Sequence, residues 1–205
     1  MKPFPKRLKL ADLPTRIEKL ERFSERTGLN VYVKRDDMSG MEWSGNKIRK
    51  LEFSIQEALD RGADTLITCG GIQSNHCRAT AAAAARLGLR SCLLLRTDDP
   101  DPLLDGNYFI DKVLGADIRF ISAEDYRSRR GEVMEELAGE FERQGHKAYI
   151  IPEGASNGIG TFGYLSCMQE ILQQEKEMGV QFDTIVDAVG SGGTLAGLVP
   201  VSYTH

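Results

Sequence analysis

Short apolar runs of about five residues recur along this chain, each followed by a longer segment with helical periodicity. That alternation limits the fold more than any other feature. Segments 30–35, 65–69, 91–95, 117–121, 147–151 and 184–189 read as strands; 46–59, 75–87, 107–114, 124–144 and 160–177 read as helices. A strand that returns through a helix to a parallel neighbour is a βαβ unit, so the expected class is α/β with open parallel sheets. In 46–59 the spacing puts Ile48, Leu51, Ile55, Ala58 and Leu59 on one face. Arg49, Lys50, Glu52 and Glu57 are expected to turn mostly toward solvent. Domain crossings are expected after Lys47 and in the glycine-dense stretch 154–160.

The bulk numbers narrow the partners. With 205 residues, a net charge of -4 and both signs interspersed, nothing points to nucleic acid or an anionic membrane surface. No apolar run approaches the roughly 20 residues of a membrane span. Met1-Lys2-Pro3-Phe4-Pro5-Lys6 lacks the apolar stretch of a secretory signal. Cys69, Cys77, Cys92 and Cys167 show no C-x-x-C spacing and read as reduced, mostly buried thiols in a cytoplasmic protein. His76, His146 and His205 are scattered, so no metal site is expected.

Three strings carry chemistry. Gly190-Ser191-Gly192-Gly193-Thr194 lies where a strand would hand over to a helix, and such a turn presents free N–H groups to an anion. It is neither a Walker loop nor a G-x-G-x-x-G turn, and read alone it is also a tight turn without a ligand. Lys47 follows Ser44-Gly45-Asn46, with Met41 and Trp43 nearby. Gly45 allows close approach of a ligand and Asn46 is a natural helix cap. A lone helical lysine is ordinarily solvated; one in a dry pocket becomes a nucleophile and base. Gly70-Gly71-Ile72-Gln73-Ser74-Asn75-His76 opens the next helix at the carboxyl end of a strand, where open α/β sheets bind ligands. Ser74 or Asn75 would serve equally as a plain cap, and His76 alone reads as structural. An amine able to form an imine, paired with a phosphate-holding loop, is what pyridoxal 5'-phosphate requires.

Together with Lys34-Arg35-Asp36-Asp37, the strings Ser44-Gly45-Asn46-Lys47-Ile48-Arg49-Lys50-Leu51-Glu52, Gly71-Ile72-Gln73-Ser74-Asn75-His76 and Gly190-Ser191-Gly192-Gly193-Thr194 resemble the D-cysteine desulfhydrase and 1-aminocyclopropane-1-carboxylate deaminase family. This is a branch of the tryptophan-synthase-β-like, fold type II pyridoxal-phosphate enzymes. The resemblance runs in order from about Leu8 to Leu198. Within it, Gln73-Ser74-Asn75-His76-Cys77-Arg78 is closer to the desulfhydrase branch.

The resemblance implies two open parallel-type α/β domains, a large one from 1–47 and 155–205, incomplete in this chain, and a small one from 48–154. It implies that Lys47 bonds the cofactor aldehyde and later moves the substrate Cα proton. Asn75 would bond the ring oxygen, and Ser74 would meet the substrate carboxylate or act as acid, base or nucleophile. Gly190, Ser191, Gly192, Gly193 and Thr194 would hold the phosphate. The implied reaction is β-elimination on a D-amino acid, D-cysteine giving pyruvate, hydrogen sulfide and ammonia. The alternatives are deamination of 1-aminocyclopropane-1-carboxylate to 2-oxobutyrate and ammonia, or a cofactor-binding fragment without turnover. A homodimer is implied for the full-length protein. Family members continue well past the phosphate loop, where the partner of the pyridine nitrogen and an active-site tyrosine are expected. Val201-Ser202-Tyr203-Thr204-His205 departs from the family pattern and reads as a foreign terminus.

Overall fold

A computed structural model describes residues 4–40 and 42–202, with the side chains of residues 201 and 202 left aside. Met41, expected near Lys47, and Tyr203, Thr204 and His205 of the terminal string lie outside the described residues.

Four parallel strands form the central sheet: β3 (Thr65–Gly71), β4 (Arg90–Arg96), β5 (Asp117–Ile121) and β6 (Ala148–Ile150), in the order β5-β4-β3-β6. The central pair runs in register from Thr65 opposite Arg90 to Gly71 opposite Arg96. Side chains alternate across the pleat. Ile67, Cys69, Cys92 and Leu94 face α5 (Ala123–Arg143), packing on Tyr126, Met134, Leu137 and Phe141. Leu66, Leu93 and Leu95 face the opposite layer, built from α2 (Lys47–Asp60), α3 (Asn75–Leu87) and α4 (Gly106–Val113). Helices on both faces explain why the strands read as continuous apolar runs. All four cysteines are free, buried thiols.

Beside the strand expected at 30–35, the N-terminal region adds a strand and a helix that the sequence pattern did not announce. A short strand β1 (Ile17–Lys19) pairs antiparallel with β2 (Tyr32–Lys34) across α1 (Glu21–Thr27). The remaining helices are α6 (Gly158–Met178) and α7 (Gly193–Ser202). They cross closely: a Cβ at Gly197 would meet the Cβ of Tyr164 at 2.5 Å and the Thr161 carbonyl at 2.6 Å. Gly163 likewise lets α6 sit directly on the Arg49 carbonyl of α2. Part of the glycine density is thus close helix packing.

Two sequence expectations need correction. Segment 184–189 is not a strand: its backbone makes no ladder, and Val186 is 91% exposed. A strand exists only through a neighbour's hydrogen bonds, and among the described residues none runs beside it. Second, α2 is not amphipathic in the expected sense. Ile48, Leu51, Ile55 and Ala58 do enter the core, but Arg49, Lys50 and Glu52 are only 1% exposed. The helix is covered on its other sides by α6 and by the N-terminal segment, whose Leu10 and Ala11 N–H groups donate to Glu52 Oε1 at 2.7 and 2.9 Å.

Candidate active site

The start of α2 is fixed by its approach loop. Gly45 has φ +104°, a left-handed value that suits only glycine, with open space where a Cβ would stand. Its N–H donates to the Asp36 carbonyl at 2.9 Å and to Ser39 Oγ at 3.1 Å. Asn46 does not cap the helix with its side chain, as the sequence suggested. Its amide is occupied elsewhere. Lys47 Nζ donates to Asn46 Oδ1 at 2.9 Å, and Asn46 Nδ2 donates to Thr194 Oγ1 at 3.1 Å. An ammonium can only donate, so the amide orientation follows. The lysine and the late glycine turn are therefore neighbours.

Lys47 is partly buried. Burial lowers its pKa, with the charge of Asp187 opposing. An amine below its ordinary range is more often unprotonated and nucleophilic near neutral pH. Lys50, one turn along α2, lies in the same place. It is pushed down to about 8, first by burial and then by the charge of Lys47. Its ammonium sits 3.5 Å from Ser156 Oγ, which shares a 2.7 Å hydrogen bond with Ser191 Oγ. Asp187 Oδ2 is buried without a hydrogen-bond partner.

The glycine turn has space on one side only. At Gly193 a Cβ would meet Ser156 Oγ at 2.6 Å, whereas at Gly190 and Gly192 nothing lies within 4 Å. Gly192 has φ +82°. The first N–H groups of α7 have no helical carbonyl to bond. Open space, free N–H groups, a helix N-terminus and the Lys50 ammonium are together the donor set that a phosphate monoester takes.

The third string enters from the carboxyl end of β3. Ser74 caps α3, accepting from the Cys77 N–H at 3.2 Å, so the capping role considered for it is real. Asn75 is exposed, and its Oδ1 accepts from Asn107 Nδ2 at 2.9 Å. His76 is buried. Its Nε2 meets Thr68 Oγ1 at 2.8 Å, and that hydroxyl donates to the Ile151 carbonyl at 2.8 Å. Burial, then the charges of Lys47 and Lys50, hold its pKa down to about 3, so it is a neutral structural ring.

Lys34-Arg35-Asp36-Asp37 serves as an anchor. Arg49 donates to Asp36 at 2.8 and 2.9 Å, to Glu170 at 3.0 and 3.2 Å and to Thr15 Oγ1 at 2.9 Å. Tyr164 adds a 2.6 Å bond to Asp36, and Lys34 pairs with Glu170. This network ties α2, α6 and the N-terminal segment together beneath the lysine.

Sequence reasoning missed Lys50, Ser156, Asp187, Arg78 and Asn107. The i, i+3 spacing of Lys47 and Lys50 was a usable signal, since it places both on one helix edge. Ser156, Asp187 and Asn107 carry no local signal.

Comparison with known proteins gives the family. Residues 8–201 match the family model described as pyridoxal-phosphate dependent enzyme. The chain is 47% identical over 206 residues to the bifunctional D-cysteine desulfhydrase/1-aminocyclopropane-1-carboxylate deaminase, mitochondrial, of Arabidopsis thaliana, covering 97% of this chain and 51% of that protein. It is 43% identical over 199 residues to D-cysteine desulfhydrase of Serratia proteamaculans, covering 95% and 59%. A crystal structure of an ACC deaminase homologue superposes with a TM-score of 0.86 at 45% identity, over 95% of this chain and 57% of that one. The chain thus spans between half and three-fifths of the length of these relatives. The chain belongs to the pyridoxal-phosphate dependent enzyme family, with the α/β fold of its fold type II members.

Proposed function

We propose that this chain carries the lysine and phosphate-binding parts of a lyase that eliminates hydrogen sulfide from D-cysteine. The carrying observation is the contact from Asn46 to Thr194, which sets a half-buried amine beside an open glycine turn. Pyridoxal phosphate, when bound, supplies an electron sink for the Cα carbanion. Lys47 would hold the cofactor through its aldehyde and, as a free amine, would take the Cα proton. Its burial-lowered pKa supports both roles. Gly190, Ser191, Gly192, Gly193 and Thr194 hold the phosphate, with Lys50 as counter-charge. Asn75 donates to the ring oxygen. Ser74 presents its hydroxyl to the substrate carboxylate. With the Cα proton on Lys47, the C–S bond breaks and the sulfur leaves with the bonding pair. Lys47 would pass that proton to the departing sulfur, giving hydrogen sulfide, and as a free amine would displace the three-carbon enamine, which water hydrolyses to pyruvate and ammonia.

The domain division belongs to the same reading. What supports it is that the parallel sheet lies within 48–154, while α6 bonds the N-terminal segment through Glu170 with Thr15 and Lys34 and through Tyr164 with Asp36. A homodimer and a cytoplasmic location complete it, the latter supported by four free buried thiols. No described helix is long and apolar enough to cross a membrane. A second reading, deamination of 1-aminocyclopropane-1-carboxylate, is favoured by the bifunctional name of the Arabidopsis relative. Incubating the full-length protein with each substrate decides between them. Sulfide and pyruvate from D-cysteine support the first, 2-oxobutyrate supports the second, and neither product contradicts both.

A further inference from the structure

Asn75 does not choose its own orientation. Arg78 Nη1 donates to Asn107 Oδ1 at 2.8 Å, and a guanidinium has no acceptor, so that atom of Asn107 must be the oxygen. The amide nitrogen of Asn107 then faces the Gln73 carbonyl at 2.8 Å, a group that only accepts, and Asn75 Oδ1 at 2.9 Å. Both ends of Asn107 therefore fix the same orientation independently. Asn75 must in turn present its nitrogen outward, and that exposed NH2 has no other hydrogen bond.

The relay is braced on both sides. Gln73 Nε2 donates to the Asp105 carboxylate at 2.8 Å, and Gln73 Oε1 accepts from the Asn107 N–H at 2.7 Å. Gly106 between them has φ +50°, and a Cβ there would meet Gln73 Oε1 at 2.5 Å, so the loop closes tightly over that side chain. Arg78 Nη2 also donates to the Ser44 carbonyl at 3.0 Å, in the loop that delivers Lys47. One guanidinium thus addresses both the lysine loop and the amide.

We propose that Arg78 and Asn107 are positioning residues that lock Asn75 as a hydrogen-bond donor toward the ring oxygen of pyridoxal phosphate, while Arg78 holds the Lys47 loop in the same frame. This rests on the reading above that Lys47 and Asn75 serve that cofactor. The chain of donors runs one way, Arg78 to Asn107 to Asn75 to the oxygen, and each link polarises the next. A donor on that oxygen stabilises its negative charge and weakens its hold on the neighbouring proton of the lysine-linked cofactor.

Asn107→Asp is the direct test. The carboxylate keeps the shape and its bond to Arg78, but it accepts from Asn75 instead of donating, so the Asn75 oxygen turns toward the ring. Pyridoxal phosphate is titrated into wild type and variant, and the pH midpoint of the lysine-linked absorbance band is read. The expected result is a midpoint about one pH unit higher in the variant, the worth of one hydrogen bond to a charged group. An unchanged midpoint in a variant that binds the cofactor overturns the relay alone. A wild type with no band overturns both the relay and the reading beneath it. If Asn107→Asp does not unfold cooperatively, Arg78→Met and Arg78→Lys replace it. Lysine, also a pure donor, keeps the wild-type midpoint and methionine raises it; equal midpoints in the two overturn the proposal.

Discussion

The Asn46 amide donates to the Thr194 hydroxyl at 3.1 Å, although the two residues lie 148 positions apart. That bond joins the start of α2 to the start of α7, the two helix ends that carry the amine and the glycine turn. Thr194 is 8% exposed and nearly isosteric with valine, so Thr194→Val removes the bond with little change in shape. One such bond contributes about 1 kcal/mol. Pyridoxal-phosphate affinity should fall roughly fivefold, and the urea midpoint should drop by an amount equivalent to about 1 kcal/mol. Fluorescence titration measures the first and a urea melt the second; unchanged affinity would make the bond incidental to the site.

Lys50 separates phosphate from ring. Lys50→Gln should weaken pyridoxal phosphate by about tenfold or more, the worth of a charge-assisted hydrogen bond, and leave pyridoxal, which lacks the phosphate, unchanged. In the free wild-type protein this ammonium is pushed down to about 8, chiefly by burial. Phosphate affinity should therefore decline as pH rises through that value, and the variant should lose that dependence. Equal losses for the two ligands would place Lys50 outside the phosphate site.

Arg49 is the structural counterpart of its neighbour. Burial alone would raise Asp36 and Glu170, but the hydrogen bonds and charge of Arg49 more than reverse this and hold both carboxyls below their ordinary range. Carboxyls lowered by folding contribute stability above their unfolded pKa and lose it as pH falls through the folded value. Arg49→Met leaves partly buried Asp36 without its cation and Glu170 with Lys34 alone, so stability at pH 7 should fall by about 3 kcal/mol, with a weaker acid dependence. Urea melts at pH 7 and pH 3 measure both.

Asp111 has the opposite sign. Its side chain is buried with both oxygens unpartnered, and burial raises its pKa to about 7 against the charge of Arg78. The folded state binds a proton that the unfolded state has released, so stability falls as pH rises from about 4 to about 7. The full shift corresponds to of order 4 kcal/mol. Asp111→Asn should flatten that decline and raise the urea midpoint at pH 8. A midpoint at pH 8 no higher than wild type would contradict the assignment.

Much of this was legible in the chain because it is written locally. Strands β3 and β4 announce themselves as apolar runs, and Gly88 ends α3 with φ +69° just past its last periodic residue. The lysine, serine–asparagine and glycine strings each fall at an element boundary, where short-range chemistry dominates. What stayed hidden depends on partners distant in sequence. Arg49 reads as a surface charge until Glu170, 121 positions away, arrives beside it. Asn107 reads as an ordinary first residue of a helix until the turn at Gly106 brings it against Gln73 and Asn75. Segment 184–189 has strand composition, but a strand needs a neighbour's hydrogen bonds, and none among the described residues provides them.

The covalent role of Lys47 is tested most directly by borohydride reduction of the protein with pyridoxal phosphate, followed by mass mapping of the labelled peptide. The account predicts a phosphopyridoxyl group on Lys47 alone, with label lost in Lys47→Ala and retained in Lys50→Gln. It also predicts half-maximal labelling at a lower pH than for a solvated lysine, because burial lowers the pKa of this amine. Label on Lys50 or on a surface lysine, with Lys47 unmodified, would contradict it.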